Sequence, residues 1–165
     1  MTLRTAAPFL LVVFGLVIGY PRASAEVAED PAIRETALDY IEGWYQGDAA
    51  RMERALHPEL AKRMVATDPR THKSVLSQMG AMTLVQKTRA GIGTSVPVAK
   101  RRAEVTVLDR YNHAAVVKVV AVEWVDYLEM AKVDGQWKII NVLWELMPPT
   151  LPASTPPPAP APPRP

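Results

Sequence analysis

The side chains of this chain best suited to gripping a planar ring such as a pterin or a flavin are Trp44, Trp124, Trp137 and Trp144, with Tyr45 and Tyr127. Each would bury a large apolar area, so the same residues serve equally as core or interface packing. Tyr40 adds a phenol among apolar neighbours, and a phenol in an apolar pocket can donate a hydrogen bond to an oxygen that gains charge during a reaction. Its ordinary alternative is a helix residue whose ring packs into the core. Asp109 and Asp126 fall near the ends of predicted strands, as pocket lining or as plain turn and edge carboxylates. Other chemistries lack their residues. There is no cysteine, hence no thiol nucleophile, thiolate metal site or disulfide. His57, His72 and His113 are scattered without metal-ligand spacing, so no metal is expected. No G-x-S-x-G, phosphate-binding loop or G-x-G-x-x-G occurs; Gly91-Ile-Gly93 lacks the third glycine and follows no clear strand, so no cofactor is expected.

Charge excludes a further class. The formal charge of +2 comes from Arg4 and Arg22, both in the first 25 residues; the remainder is balanced, and no nucleic-acid partner is expected. Along the rest the balance is uneven: residues 26–59 carry 3 basic and 9 acidic side chains, residues 60–102 carry 9 and 1, and residues 103–147 carry 4 and 7. The basic stretch reads as a solvated face set against acidic helices, or as a docking point for an anionic ligand or envelope surface near Lys100-Arg101-Arg102.

Arg4, the apolar run Phe9 to Tyr20 and Ala23-Ser24-Ala25 follow the order of a secretory signal, with cleavage after Ala25. The uncharged run is short for a bilayer span, so no stable span is expected after cleavage, and the product is expected to be periplasmic or secreted. Pro148 to Pro165 holds 10 of the 16 prolines and reads as an extended, solvated tail.

Residues 26–147 must then position the candidate groups. Asp30-Pro31 predicts a capped helix start, and Ile33, Ala37, Tyr40, Ile41, Trp44 and Tyr45 recur at helical spacing. Gly47 permits a left-handed stop. Asp48 can cap a second helix carrying Met52, Ala55, Leu56 and Leu60, with His57-Pro58 near a break. Asp68-Pro69 opens a possible third helix, interrupted at Gly80, with Met82 to Arg89 as its last piece. Ala103 to Asp109, Ala114 to Trp124, Val125 to Val133 and Gln136 to Leu146 then read as four strands, Asp134-Gly135 being the clearest hairpin. Helices followed by a meander predict an α+β domain with helices covering one sheet face. Ala114 to Trp124 is apolar at both parities, which predicts cover on both faces and a homodimer through the sheet.

Tyr40-Ile-Glu-Gly-Trp-Tyr-Gln-Gly-Asp48, Ala55-Leu-His-Pro58 and Asp126-Tyr-Leu-Glu-Met-Ala-Lys-Val-Asp-Gly-Gln-Trp-Lys-Ile-Ile-Asn141 together resemble the nuclear transport factor 2-like superfamily, especially its branch labelled lumazine-binding or SnoaL-like. The resemblance spans roughly residues 30–146. It implies a cone of curved antiparallel sheet and about three N-terminal helices around an apolar pocket, often as a dimer. It leaves the function open, because that superfold carries isomerases, cyclases, dehydratases and binding modules. Tyr40 stands at the offset from Asp48 at which the ketosteroid isomerase branch keeps its oxyanion tyrosine, while Val65 falls where that branch keeps its base, and valine moves no proton. The branch's neutral acid would correspond to Glu129, or to the nearby Asp126.

Two functions follow as expectations. The first is a binding module holding a small apolar or aromatic ligand against Tyr40, Trp44, Tyr127 and Trp144, or an accessory domain. The second is a cyclase, isomerase or dehydratase using Tyr40 with Asp126 or Glu129. A carboxylate buried in the pocket within reach of Tyr40 would favour the second. A filled cone would favour a purely structural role.

Overall fold

Ile33, Ala37, Tyr40, Ile41 and Tyr45 lie buried along one side of helix α1 (Pro31–Gln46), so the helical spacing read from the sequence is the packing face. The computed structural model describes residues 31–148; the leader, the Asp30 cap and the proline-rich segment past Pro148 lie outside them. Gly47 turns the chain with φ +71°, and Asp48 caps α2 (Ala49–Ala55) by accepting from the Arg51 amide at 3.0 Å. The two helices are latched by Asp39, which accepts from Arg51 Nε at 2.7 Å and Arg54 Nε at 2.8 Å. Burial raises the Asp39 carboxyl, but the two guanidinium groups outweigh it and hold the acid below its ordinary range.

The chain after Ala55 departs from the expected helix. Strand β1 (Leu56–Thr67) begins at once, because Pro58 has neither the amide nor the space to continue α2. The Asp68-Pro69 helix start is likewise a turn: Asp68 Oδ1 accepts from the Arg70 and Thr71 amides at 2.7 and 3.0 Å, and His72 closes it with φ 55°. Strand β2 (Ser74–Gly80) then pairs antiparallel with β1, and only α3 (Ala81–Arg89) remains helical. Its buried side is Ala81, Leu84, Val85 and Thr88, with Lys87 and Arg89 in the last turn, where cations suit the helix dipole.

Strands β3 (Glu104–Tyr111), β4 (Ala114–Val120), β5 (Trp124–Val133) and β6 (Gln136–Leu146) form the expected meander, with Asp134 and Gly135 at φ 49° and 80° in the last hairpin. The run Ala114 to Trp124 is not one strand; it turns at 121–123, closed by the Ala121 amide on the Trp124 carbonyl at 2.9 Å. The sheet order is β2-β1-β6-β5-β4-β3, and β1 pairs parallel to β6, so the curved sheet is mixed where an all-antiparallel one was expected. Register shifts between Leu56 and Ala61, at Val107/Asp109 and at Glu129/Met130 bend the strands. The three helices fill the concave side, over a core that includes Val117, Val119, Leu128, Met130, Ile139 and Val142. On the outer face Leu76, Val65, Leu143, Tyr127 and Val116 are exposed.

Candidate functional site

The candidate site lies between α1, α3 and the strand ends of β5 and β6. Tyr40 and Trp44, one helical turn apart, project from α1 to the same side. Lys62 enters from β1, Leu84 and Lys87 from α3, Trp124 from the start of β5 and Trp144 from the end of β6. With Ile41, Met52 and Met79 these enclose a cavity of about 160 Å³. That is close to the ~150 Å³ apolar cavity known to hold a benzene ring, and well below the ~300 Å³ at which drug-sized pockets begin. Trp44 meets Trp124 edge to face at 6.5 Å, and Gly93 backs Trp44 from outside.

Behind the cavity wall lies a closed polar network. Asp126, wholly buried, binds Lys62 Nζ through Oδ1, and its Oδ2 accepts from the Tyr40 hydroxyl at 3.1 Å and the Trp124 indole at 2.7 Å. Lys62 also donates to the Tyr40 oxygen at 2.7 Å and sits 4.8 Å from the centre of the Trp144 ring. Strand geometry assembles this set. Trp124 and Asp126 are two apart on one face of β5, and Asp126 is directly opposite Trp144 on β6.

Three donors, those of Lys62, Tyr40 and Trp124, converge on the Asp126 carboxylate. Burial lowers the Lys62 ammonium, and the Asp126 charge opposes that fall. Burial also raises Tyr40 well above the usual phenol range, and the neighbouring carboxylate raises it further, so Tyr40 keeps its proton. The Tyr40 proton is committed to Asp126. What the cavity keeps free is a Lys62 N–H and the Lys87 ammonium at the mouth.

Among the described residues no group of three or more His, Asp or Glu could hold a metal, and no helix is long and apolar enough to cross a membrane. The family described as "Putative lumazine-binding" matches residues 28–145. The chain belongs to that family. As a lumazine-binding family member it shares its fold with three solved structures described only as NTF2-like proteins of unknown function. The one from Shewanella baltica is 20% identical, covers 72% of this chain and 93% of its own, and has a TM-score of 0.53. Its counterparts from Silicibacter pomeroyi (12%, 71% and 94%, TM-score 0.54) and Methylobacillus flagellatus (19%, 72% and 91%, TM-score 0.54) are alike to the same degree. At such identities the likeness is one of fold, that of the nuclear transport factor 2-like superfamily. No curated protein matches the chain.

Within this lumazine-binding fold the expected residues divide by strand parity. Tyr40, Trp44 and Trp144 line the cavity, and Asp126 stands directly behind it. Tyr127 and Glu129 project from the outer face; Tyr127 is exposed, and Glu129 accepts from Asn141 Nδ2 at 2.9 Å. Trp124 takes the wall position expected of Tyr127. Val65 is also on the outer face, opposite Leu76, so the base position of the ketosteroid isomerase branch is not in the cavity at all. Trp137 belongs to the core. Lys62 is the functional side chain the sequence reading lacked. Once Pro58 ends the helix, alternation through Leu60, Lys62 and Met64 points it inward.

Proposed function

We propose that this protein is an exported binding module of the lumazine-binding family that holds one small apolar or aromatic ligand in the cone. The cavity carries the reading: it has the volume of a single ring and is walled by Tyr40, Trp44, Trp124 and Trp144. A buried carboxylate in reach of Tyr40 was the feature that would favour an isomerase, cyclase or dehydratase, and Asp126 has that geometry. Lys62 reverses its meaning. With Lys62, Tyr40 and Trp124 all donating to Asp126, both of its oxygens are occupied as acceptors and the phenol proton is committed, whereas general acid–base work needs a group free to exchange a proton with a ligand. Loading the cavity is expected to raise the melting temperature, since a ligand bound only by the folded state adds stability in proportion to log concentration. Toluene at millimolar concentration should do so in the native protein and not in Leu84→Trp, which fills the space while still melting cooperatively; equal shifts in both would reject the reading.

The outer sheet face supports a second copy of this chain as its partner. One row across the strands is Arg63, Leu143, Tyr127 and Lys118, and the next is Asn141, Glu129, Val116 and Asp109. The rows carry opposite charge, so a two-fold related sheet sets basic against acidic with the exposed apolar residues between. Native mass spectrometry should give a dimer for the wild type and a monomer for Tyr127→Glu/Leu143→Glu; a monomeric wild type at micromolar concentration removes the dimer.

A further inference from the structure

Every free polar side-chain group on the cavity wall is a donor. The Tyr40 oxygen already accepts from Lys62 and donates to Asp126, and the carboxylate of Asp126 lies behind the wall with its oxygens taken. The charged groups lining the space are Lys62, whose ammonium has a third N–H beyond those given to Asp126 and Tyr40, and Lys87 at the rim. No carboxylate, amide or free hydroxyl is among the lining residues. An amine or an alcohol donor would meet no free side-chain acceptor there, and a bare hydrocarbon would make no use of either ammonium. We infer that the ligand is a small carboxylate on an apolar, ring-sized body, its anion held by Lys62 and drawn in by Lys87, its body stacked among the tryptophans. This inference rests on the binding reading above and narrows it to one chemical class.

Lys62 is suited to this role for a second reason. Its charge is balanced by Asp126 when the cavity is empty, so the site keeps an ammonium in an apolar cone without a ligand. Lys87 has no such counterion on the wall, and the site is therefore net positive by one charge. A monoanion neutralises it.

The test uses three ring-sized probes titrated into the purified protein, read by tryptophan fluorescence: benzoate, its neutral isostere benzamide, and toluene. Benzoate is expected to bind at least tenfold more tightly than benzamide, with the advantage shrinking as salt is added. Lys62→Gln alone leaves a buried carboxylate unpaired and risks unfolding, so the informative variant is Lys62→Gln/Asp126→Asn, which keeps the hydrogen bonds and removes both charges. In it benzoate should keep only the several-fold advantage that Lys87 supplies. Lys87→Gln, at an exposed position, should weaken benzoate several-fold and leave benzamide unchanged. Equal or tighter binding of benzamide or toluene by the native protein overturns the inference while leaving a ligand-binding cone. Binding of none of the three overturns the cone as a ring-sized site as well.

Discussion

Asp126→Ala is expected to lower the free energy of unfolding by about 3–5 kcal/mol, the cost of leaving one member of a buried ion pair without the other. The mutation strands the Lys62 ammonium in the interior, removes the acceptor of the Tyr40 hydroxyl and frees the Trp124 indole. In urea titrations it should move the midpoint strongly without a matching change in slope, since the surface exposed on unfolding is nearly the same. Lys62→Met should cost a similar amount for the mirrored reason. The double variant Lys62→Met/Asp126→Leu should then recover most of the loss, because it removes both charges and leaves an apolar wall. A loss below about 1 kcal/mol for Asp126→Ala, the range of an exposed pair, would mean that the network is solvated and does not order the site. The cycle also separates structure from binding: the double variant should fold and lose its grip on anions.

Gly93→Ala is expected to cost about 1–3 kcal/mol, the usual range for overpacking a filled interior. A Cβ at Gly93 would lie 2.4 Å from the Trp44 carbonyl oxygen and 2.5 Å from the indole Cδ1 and Nε1. The backbone oxygen belongs to α1 and cannot swing aside, so helix, loop or indole must move. Backbone strain is not the cause, since Gly93 is not among the residues of positive φ. Gly135→Ala provides the contrast. That position has φ +80° and nothing within 4 Å of an added Cβ, so its cost is conformational, about 1 kcal/mol. Near-UV circular dichroism should change for Gly93→Ala, as Trp44 shifts against Trp124, and stay native for Gly135→Ala. Gly93→Ala should also lower ligand affinity, because Trp44 is a cavity wall. Unchanged stability and spectrum would show that the loop yields freely and does not set the Trp44 position.

The residues that made the fold legible are those whose signal is local. The apolar spacing of α1, the Asp48 cap after Gly47 and the Asp134-Gly135 hairpin each act within a few residues, and each stands where the sequence puts it. The segment from Leu56 to Gly80 was opaque because its structure is decided elsewhere. All of β2 from Ser74 to Gln78 is exposed, so an edge strand there shows no alternation to read. Strand β1 owes its place to β6, some eighty residues away, by a parallel pairing that no local pattern announces. The turn at 121–123 has neither glycine nor proline, and the β-branched run on either side hides it. In the site, Tyr40, Trp44 and Trp144 were legible as apolar aromatics. Lys62 was not, because a buried lysine is rare and only a partner 64 positions away makes one tolerable.

The parallel seam between β1 and β6 also sets the order in which the chain can be finished. The last strand to be made lies between the first hairpin and the meander, so until Leu146 is available β1-β2 and β3-β4-β5 are separate sheets, each with an open edge. Trp144, two residues from the end of that strand, closes the cavity over Lys62 in the same step. Closure therefore depends on contacts across most of the domain, the kind that form slowly, and the cavity is complete only once β6 has paired with both neighbours.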